Sequence, residues 1–345
     1  MKYDITFHPS WWHKYAGIEF TKDFFEDPEY RMECDVKMRR VLYEHFGEFG
    51  IGEENPEKRP VLGSDLLAAG YFHSALVGCE IVYSKDNSPQ VKCMELSDED
   101  LEDIHIGDYK NHPLYKNMME QVNYLKEKFG YVIPAVNLMG IQNIALDMMG
   151  QNLFIAYYTE PEEIDRLLGE IADMSIEIGK YLKELSPNVS TGVTAIVGQT
   201  VPDCYLTSNC SVEMISNDLY EEFLLKYDNQ MAEEFKSFGI HHCGQTMEHV
   251  VEGYAKVKNL DFAEVGAGSD FVAVKEALPN TVLNARFSPV FLAENDEAAI
   301  ISKTKEICSW LGEKDSISCV GIDSNVPVEK IKCFLSALKN SSKES

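Results

Sequence analysis

Residues 262–285 read FAEVGAGSDFVAVKEALPNTVLNA, and their pattern decides the fold. The apolar run Phe262–Val265 predicts a strand, the amphipathic stretch Phe271–Leu278 a helix, and the apolar run Thr281–Ala285 a second strand. A strand, a helix and a strand at this spacing form a right-handed unit in which the two strands lie parallel. The stretch therefore predicts a parallel sheet that is covered by helices.

The same alternation extends through the C-terminal part of the chain. Strands are predicted at Ile240–Cys243, Phe262–Val265, Thr281–Ala285 and Ser316–Val320, and helices at Met247–Val257, Phe271–Leu278, Asp296–Leu311 and Val328–Leu338. Four such units in a row favour a (β/α)₈ TIM barrel over an open sheet, although both architectures use them. The glycines of GAGSD at 266–270 lack the third glycine of a dinucleotide-binding loop, so no nucleotide cofactor is predicted.

Further elements are predicted upstream. The strands are Tyr131–Asn137, Val189–Val197 and Asp203–Thr207, and the helices are Pro28–Phe46, Ile141–Met149, Leu219–Phe238 and a long helix after a capping box of Thr159 and Glu162. We expect an N-terminal helical and irregular extension over 1–110, a barrel over 111–340 and a frayed tail over 341–345. The extension is expected to pack on the barrel within one structural domain, with the acidic run Ser97–Asp108 on the surface.

The chain is strongly acidic. Its 345 residues include 57 acidic and 31 basic side chains, which gives a formal net charge of −26. Such a charge repels nucleic-acid phosphates and anionic membrane surfaces, so we expect neither as a partner. No apolar stretch is long enough to span a bilayer, and the start MKYDITFHPSWWHKY lacks the pattern of a secretory signal. We therefore expect a cytoplasmic protein.

Cysteines are frequent and irregularly spaced. Their number, nine, is odd, and no two of them form a CxxC pair. This usage is typical of a reducing compartment, where most thiols pack in the core and one or two are candidate metal ligands.

The strongest candidate site is the segment Ile240–Gly244 (IHHCG) together with Cys319. Side chains alternate along a strand, so His241 and Cys243 point to one face and His242 to the other. Cys319 ends another predicted strand, and all strands of a parallel barrel end at the rim where active sites form. One imidazole and two thiolates suit Zn²⁺ with one position open. From the spacing alone, ordinary packing of these residues is an equal alternative.

Other residues at predicted strand ends are candidate substrate contacts. Asn137 and Glu264 each end a strand, and Arg286 follows one at the rim. Trp12 belongs to an aromatic N-terminal segment that either lines a substrate pocket or covers the bottom of the barrel. Cys210 is a possible substitute ligand, for which packing is the favoured interpretation.

Four segments carry a family resemblance: FGIHHCG (238–244), ISNDLYEEFLLK (215–226), TVLNARFSP (281–289) and SISCVGIDSNVPVEKIK (316–332). They resemble the uroporphyrinogen decarboxylase superfamily, and specifically its zinc-dependent, corrinoid-linked methyltransferase branch. The resemblance covers about residues 130–340. It implies a zinc ion bound by His241, Cys243 and Cys319 on a (β/α)₈ barrel. It also implies a methyl group exchanged with cobalamin, and no DxHxxG motif for cobalamin occurs in this chain, so a partner corrinoid protein must supply it.

The resemblance leaves the substrate open because the chain departs from the family pattern at two places. Asn284-Ala285-Arg286 stands where many members have a glycine, and Ser318 precedes Cys319 where a glycine is common. We expect demethylation of a small methylated donor such as a methoxylated aromatic compound. The alternatives are methyl transfer from methylcobalamin to a thiol of the coenzyme M type, a decarboxylase-like lyase, and a non-catalytic metal-binding protein.

Overall fold

The computed structural model describes residues 2–186, 191–192 and 203–344. The strands are β1 Lys2–Phe7, β2 Val61–Gly63, β3 Glu80–Val82, β4 Gln90–Lys92, β5 Ile133–Ala135, β6 Thr191–Gly192, β7 Tyr205–Ser208, β8 Phe238–His241, β9 Leu260–Val265, β10 Val282–Phe287 and β11 Ser316–Ile322. The α-helices are α1 Pro9–Ala16, α2 Lys22–Glu26, α3 Pro28–Phe46, α4 Phe72–Leu76, α5 Pro113–Phe129, α6 Ile141–Met149, α7 Asn152–Thr159, α8 Pro161–Leu185, α9 Asn217–Leu219, α10 Leu225–Phe235, α11 Val251–Tyr254, α12 Phe271–Ala277, α13 Pro289–Glu294, α14 Glu297–Trp310 and α15 Val328–Glu344. A π-helical turn, Tyr220–Leu224, joins α9 to α10.

Parallel strands form the centre of the fold. Seven of them lie in the order β1-β11-β10-β9-β8-β7-β6, and each neighbouring pair is parallel. Strand β2 pairs in parallel with β5, and β5 in turn contacts β6. The predicted α/β barrel class is confirmed. The segment 1–110, which the sequence predicts to be an extension, also supplies β1 of the seven-stranded sheet and β2 of the parallel pair with β5.

The strand register separates a polar interior from an apolar outer face. Asn284 of β10 donates a hydrogen bond to Ser316 Oγ (2.7 Å) and accepts one from Ser318 Oγ (2.6 Å), both on the neighbouring strand β11. Phe287, three residues further along β10 and on the opposite face, packs its ring against Phe334 of α15 (4.5 Å between centroids). Successive side chains point to opposite faces, so the polar residues face inward and the aromatic ring faces the helices.

The N-terminal helices cover the outside of β1. The ring of Phe7 stacks on Trp11 of α1 at 3.9 Å and on Phe46 of α3 at 5.7 Å between centroids. Helix α3 has the predicted bounds because Asp27 caps its first turn through the N–H groups of Glu29 and Tyr30. Burial of these large rings anchors the first forty-six residues to the barrel.

The predicted capping box of Thr159 and Glu162 is wrong. Thr159 is the last residue of α7, and its hydroxyl donates to Asp98 and to the carbonyl of Ile155. Helix α8 begins at Pro161, whose fixed φ suits the first helical position and sets the start without a side-chain cap.

Two predicted helices are shorter than expected. Only Val251–Tyr254 is helical within the predicted 247–257 helix, because Glu213 accepts hydrogen bonds from the N–H groups of Gln245 and Thr246 and holds the preceding residues in a loop. The predicted helix 219–238 has a π turn near its start and ends at Phe235. In contrast, the last helix continues to Glu344, beyond its predicted end at Leu338.

Most of the predicted strand 189–197 lies outside the described residues, apart from β6. None of the helices that the structure describes has the length and apolar character needed to cross a membrane.

Candidate metal centre

Three potential metal ligands meet at the carboxyl ends of β7 and β8. One ligand atom each from Cys210, His241 and Cys243 lies within 4.8 Å of the other two. The two strands are neighbours, with Ser208 paired to His241, so their ends lie side by side. Cys210 follows β7 by two residues, and Cys243 follows His241 by two. The expected grouping of His241 with Cys243 is therefore present in the structure.

The neighbours of Cys210 favour its thiolate form. The Cys243 thiol and the His241 ring hold the pKa of Cys210 well below its ordinary value, against the opposing effect of burial. The Ser208 hydroxyl lies 3.2 Å from the Cys210 sulfur and contributes in the same direction. A thiolate beside an imidazole and a second thiol is the arrangement that a soft metal ion binds.

Glu264 of β9 lies directly behind His241. Its fully buried carboxylate contacts His241 Nδ1 through one oxygen, and the other oxygen lies 3.4 Å from Arg286 Nη1. Burial lowers the pKa of Arg286, while the neighbouring cysteines oppose this effect. A carboxylate against Nδ1 is the arrangement that commonly leaves Nε2 of a histidine to bind a metal ion. The structure thus brings together His241 with two predicted substrate contacts, Glu264 and Arg286.

Cys319, the predicted third ligand, lies outside this group of donor atoms. The register pairs Cys319 with Phe287 of β10, and it pairs the preceding Ser318 with Arg286. Paired residues of parallel strands point to the same face, so Cys319 points with Phe287 toward the helices. Burial in this apolar layer raises the pKa of Cys319 to about 12. The Arg286 guanidinium opposes this effect, so Cys319 is within electrostatic reach of the candidate site although its sulfur is not one of the three grouped donor atoms.

Cys210 is the second cysteine of the group in the structure, although its sequence context favoured packing. The available signal was its place immediately after β7, a strand that neighbours the strand bearing His241. Sequence alone does not give the order of strands around the sheet, so this adjacency could not be read from spacing.

Asn137 lies at a different place on the rim. Its amide donates to the carbonyl of Leu67 (2.8 Å) and thereby holds the loop that follows β2. It also lines a small, largely apolar cavity of about 50 Å³ together with Leu62, Tyr71 and Met118. The space is smaller than the roughly 150 Å³ that accommodates a benzene ring.

Trp12 lies in the core with 1% of its surface exposed. Its ring packs edge-on against Trp11 at 5.0 Å and against Phe7 at 5.4 Å between centroids. The aromatic N-terminal segment therefore serves the packing of α1 on the barrel, and the structure gives no support to its use as a lining for an aromatic substrate.

The donor set fits zinc. Two sulfurs and one imidazole nitrogen are the ligands of many three-residue zinc sites that keep a fourth position open. The carboxylate on Nδ1 matches the way in which metal-binding histidines are commonly oriented. Cys243 is exposed, so one side of the group can be reached from solvent.

Comparisons with known proteins agree with this architecture. The family model described as Uroporphyrinogen decarboxylase (URO-D) matches residues 68–341. No curated protein matches the chain. A methyltransferase from Methanosarcina mazei shares the fold with a TM-score of 0.69 and 16% sequence identity, and the alignment covers 99% of this chain and 94% of that chain.

Two B12-independent methionine synthases show a weaker similarity. The one from Shewanella sp. W3-18-1, in complex with selenomethionine, has 12% identity and a TM-score of 0.49, with 99% of this chain and 96% of that chain covered. A putative one from Listeria monocytogenes has 12% identity and a TM-score of 0.46, with 96% and 98% covered. The family model spans most of the chain, and the chain belongs to the uroporphyrinogen decarboxylase (URO-D) family.

Proposed function

We propose that this protein is a zinc-dependent methyltransferase that acts with a corrinoid protein. It would move a methyl group between a small methylated compound and cobalamin carried by that partner. The observation that supports the proposal is the group of Cys210, His241 and Cys243 at the carboxyl ends of two neighbouring strands, with Glu264 behind the imidazole. The fold is compatible with this activity, since a methyltransferase shares it.

The protein's own residues prepare the site for such chemistry. The Glu264 carboxylate contacts His241 Nδ1 and would orient the ring, while Arg286 balances the buried carboxylate. A zinc ion bound by the imidazole and the two sulfurs would supply Lewis acidity, which stabilises a thiolate or the leaving heteroatom of a methyl donor. The exposed edge of Cys243 leaves a side for the substrate and the partner.

The substrate is proposed only as a small methylated compound. The expectation of a methoxylated aromatic donor came partly from Trp12, which is buried in the core. Transfer of methyl from methylcobalamin to a thiol would use the same group of ligands in the opposite direction. Decarboxylation of a porphyrinogen is suggested by the family, but the cation beside the group, Arg286, is already paired with Glu264.

The metal site is tested by elemental analysis of the purified protein and three cysteine variants. We expect about one zinc per chain in the wild type, and loss of zinc in Cys210→Ser and Cys243→Ser. Cys319→Ala is the matched control and should keep its zinc, because its sulfur faces the helices. Zinc lost from Cys319→Ala but retained by Cys210→Ser would restore the ligand set predicted from the sequence. An active enzyme without metal would refute the proposal.

The reaction is tested by mixing the protein with Co(I) cobalamin and candidate methyl donors. Formation of methyl-Co(III) is followed by its absorbance, and the reverse reaction is followed with methylcobalamin and thiols. Release of CO₂ from uroporphyrinogen, without methyl transfer in either direction, would establish the lyase instead.

A further inference from the structure

A buried hydrogen-bond network lies next to the two segments that carry the ligands. Asp228, on α10 and 2% exposed, accepts hydrogen bonds from Asn209 Nδ2 (2.9 Å) and from the Tyr220 hydroxyl (2.7 Å). Tyr220 in turn lies against Tyr254. The two tyrosine rings pack edge to face, with centroids 5.1 Å apart.

The network continues to His242, which is fully buried. Its Nε2 lies 3.0 Å from the carbonyl oxygen of Thr246, and its Nδ1 lies 3.0 Å from the Tyr254 hydroxyl. A carbonyl can only accept, so Nε2 carries the proton and Nδ1 accepts from Tyr254. Tyr254 thus donates its hydroxyl proton to His242, and Asp228 is linked to this pair through Tyr220, whose ring packs on that of Tyr254.

The sheet by itself does not hold the two cysteines. Strand β7 ends at Ser208 and β8 ends at His241, so Cys210, the first residue of a 3₁₀ helix (Cys210–Met214), and Cys243 both lie beyond the strands. Asn209 precedes Cys210, and its N–H donates to the carbonyl of His241 (2.8 Å). His242 precedes Cys243. The network therefore connects the two loops at the residues next to the candidate ligands.

A carboxylate is energetically unfavourable at the position of Asp228. It shares the buried face of α10 with Met231, Ala232 and Phe235, where an apolar side chain would pack without loss of hydration. Burial raises the pKa of Asp228 to about 6. A carboxylate retained on an apolar helix face usually has a structural or functional role that offsets its desolvation.

We infer that Asp228 and Tyr254 are positioning residues that set the spacing between Cys210 and Cys243 around a bound metal ion. The inference rests on the proposed metal site. Neither residue touches the donor atoms; each acts through its neighbour, Asp228 through Asn209 and Tyr254 through His242. Glu213 and the N–H of Asn209 also tie the two segments together, so loss of the network would loosen the spacing between the two cysteines without separating the segments.

The test compares Tyr254→Phe with Tyr205→Phe. Both residues are fully buried tyrosines, but the hydroxyl of Tyr205 has no hydrogen-bond partner among the described residues. Zinc affinity is measured by competition with a chromophoric chelator, and the Co²⁺-substituted proteins are compared by their d–d and thiolate-to-cobalt absorption bands. We expect Tyr254→Phe to bind zinc about 10-fold more weakly with shifted bands. Tyr205→Phe should match the wild type in both measurements.

Asp228→Asn is the second variant, and it keeps the inference testable if Tyr254→Phe does not fold. This substitution removes the charge and keeps an acceptor oxygen. We therefore expect weaker zinc binding and shifted cobalt bands, as in Tyr254→Phe, but with smaller changes. A purely structural role would lower the thermal stability of the metal-free protein and leave zinc affinity and the cobalt spectrum unchanged, which would overturn the inference. If the wild type itself binds no zinc, the proposed function fails, and that result is distinct from a normal wild-type site with unaffected variants.

Discussion

The buried carboxylate of Asp228 should make the protein less stable as the pH rises. Its pKa is about 6 in the folded protein, against an ordinary value of 3.8, because burial disfavours the charged form. The folded state therefore holds this proton more tightly than the unfolded state does. The resulting penalty is absent below about pH 3, grows as the pH rises, and is complete above about pH 7.

The two pKa values determine the size of the effect. Their difference corresponds to about 3 kcal/mol of lost stability when the penalty is complete. About 1 kcal/mol of it is already present at pH 4.5, so about 2 kcal/mol should appear between pH 4.5 and pH 7.5. Asp228 is 2% exposed, so solvent does not screen the effect. Other titrating groups contribute equally to the wild type and to Asp228→Asn and cancel in their difference.

The assay is urea denaturation of the metal-free wild type and Asp228→Asn at several pH values in the presence of a chelator. The free energy of unfolding of the variant, relative to that of the wild type, should rise by about 2 kcal/mol from pH 4.5 to 7.5. Asp218→Asn, at an exposed site near the start of α9, is the control and should track the wild type. Parallel curves for Asp228→Asn and the wild type would refute the reasoning, because they would show that the carboxylate is ionised at no cost.

Two further substitutions test how the barrel is held together. Gly140→Ala should cost about 1–3 kcal/mol of stability, because a Cβ there would lie 2.2 Å from the carbonyl oxygen of Ser208; Gly107→Ala, with open space around it, is the control for thermal denaturation. Arg31→Met should cost about 3 kcal/mol or more, since the fully buried guanidinium donates to backbone carbonyls that would lose their partner. Arg40→Met, on the exposed face of the same helix, should change the free energy of unfolding by less than about 1 kcal/mol, and equal losses for the two arginines would contradict this account.

The strand and helix alternation of the C-terminal part was predictable because it depends on local pattern. Each strand from β8 to β11 lies within two residues of its predicted position. The errors arose where a distant residue determines the local structure. The loop before α11 is held by Glu213, which precedes it by more than thirty residues. No periodicity near residue 247 reports such a contact.

The candidate ligands also divide into those that a local pattern predicts and those that depend on how distant strands are arranged. His241 and Cys243 come from one short segment, and their common face follows from strand alternation. To predict which face Cys319 occupies, one needs the register between two strands. The serines at 316 and 318 are a usable signal for it. They alternate with Ile317 and Cys319, so if the polar residues face the interior, Cys319 faces the helices. Cys210 required the order of strands in the sheet, which no local pattern contains.

The position of Asp228 suggests how such sites can be found in sequence. On α10 it stands three, four and seven residues before Met231, Ala232 and Phe235, and these spacings belong to one face of a helix. A carboxylate on that face breaks the apolar pattern at a cost of about 3 kcal/mol near neutral pH. Natural sequences break local rules mainly at strained or functional sites, so the break itself points to the loops that this carboxylate holds. The same residue thus lowers the stability of the metal-free protein and keeps two loop cysteines at one spacing, and both effects follow from its burial.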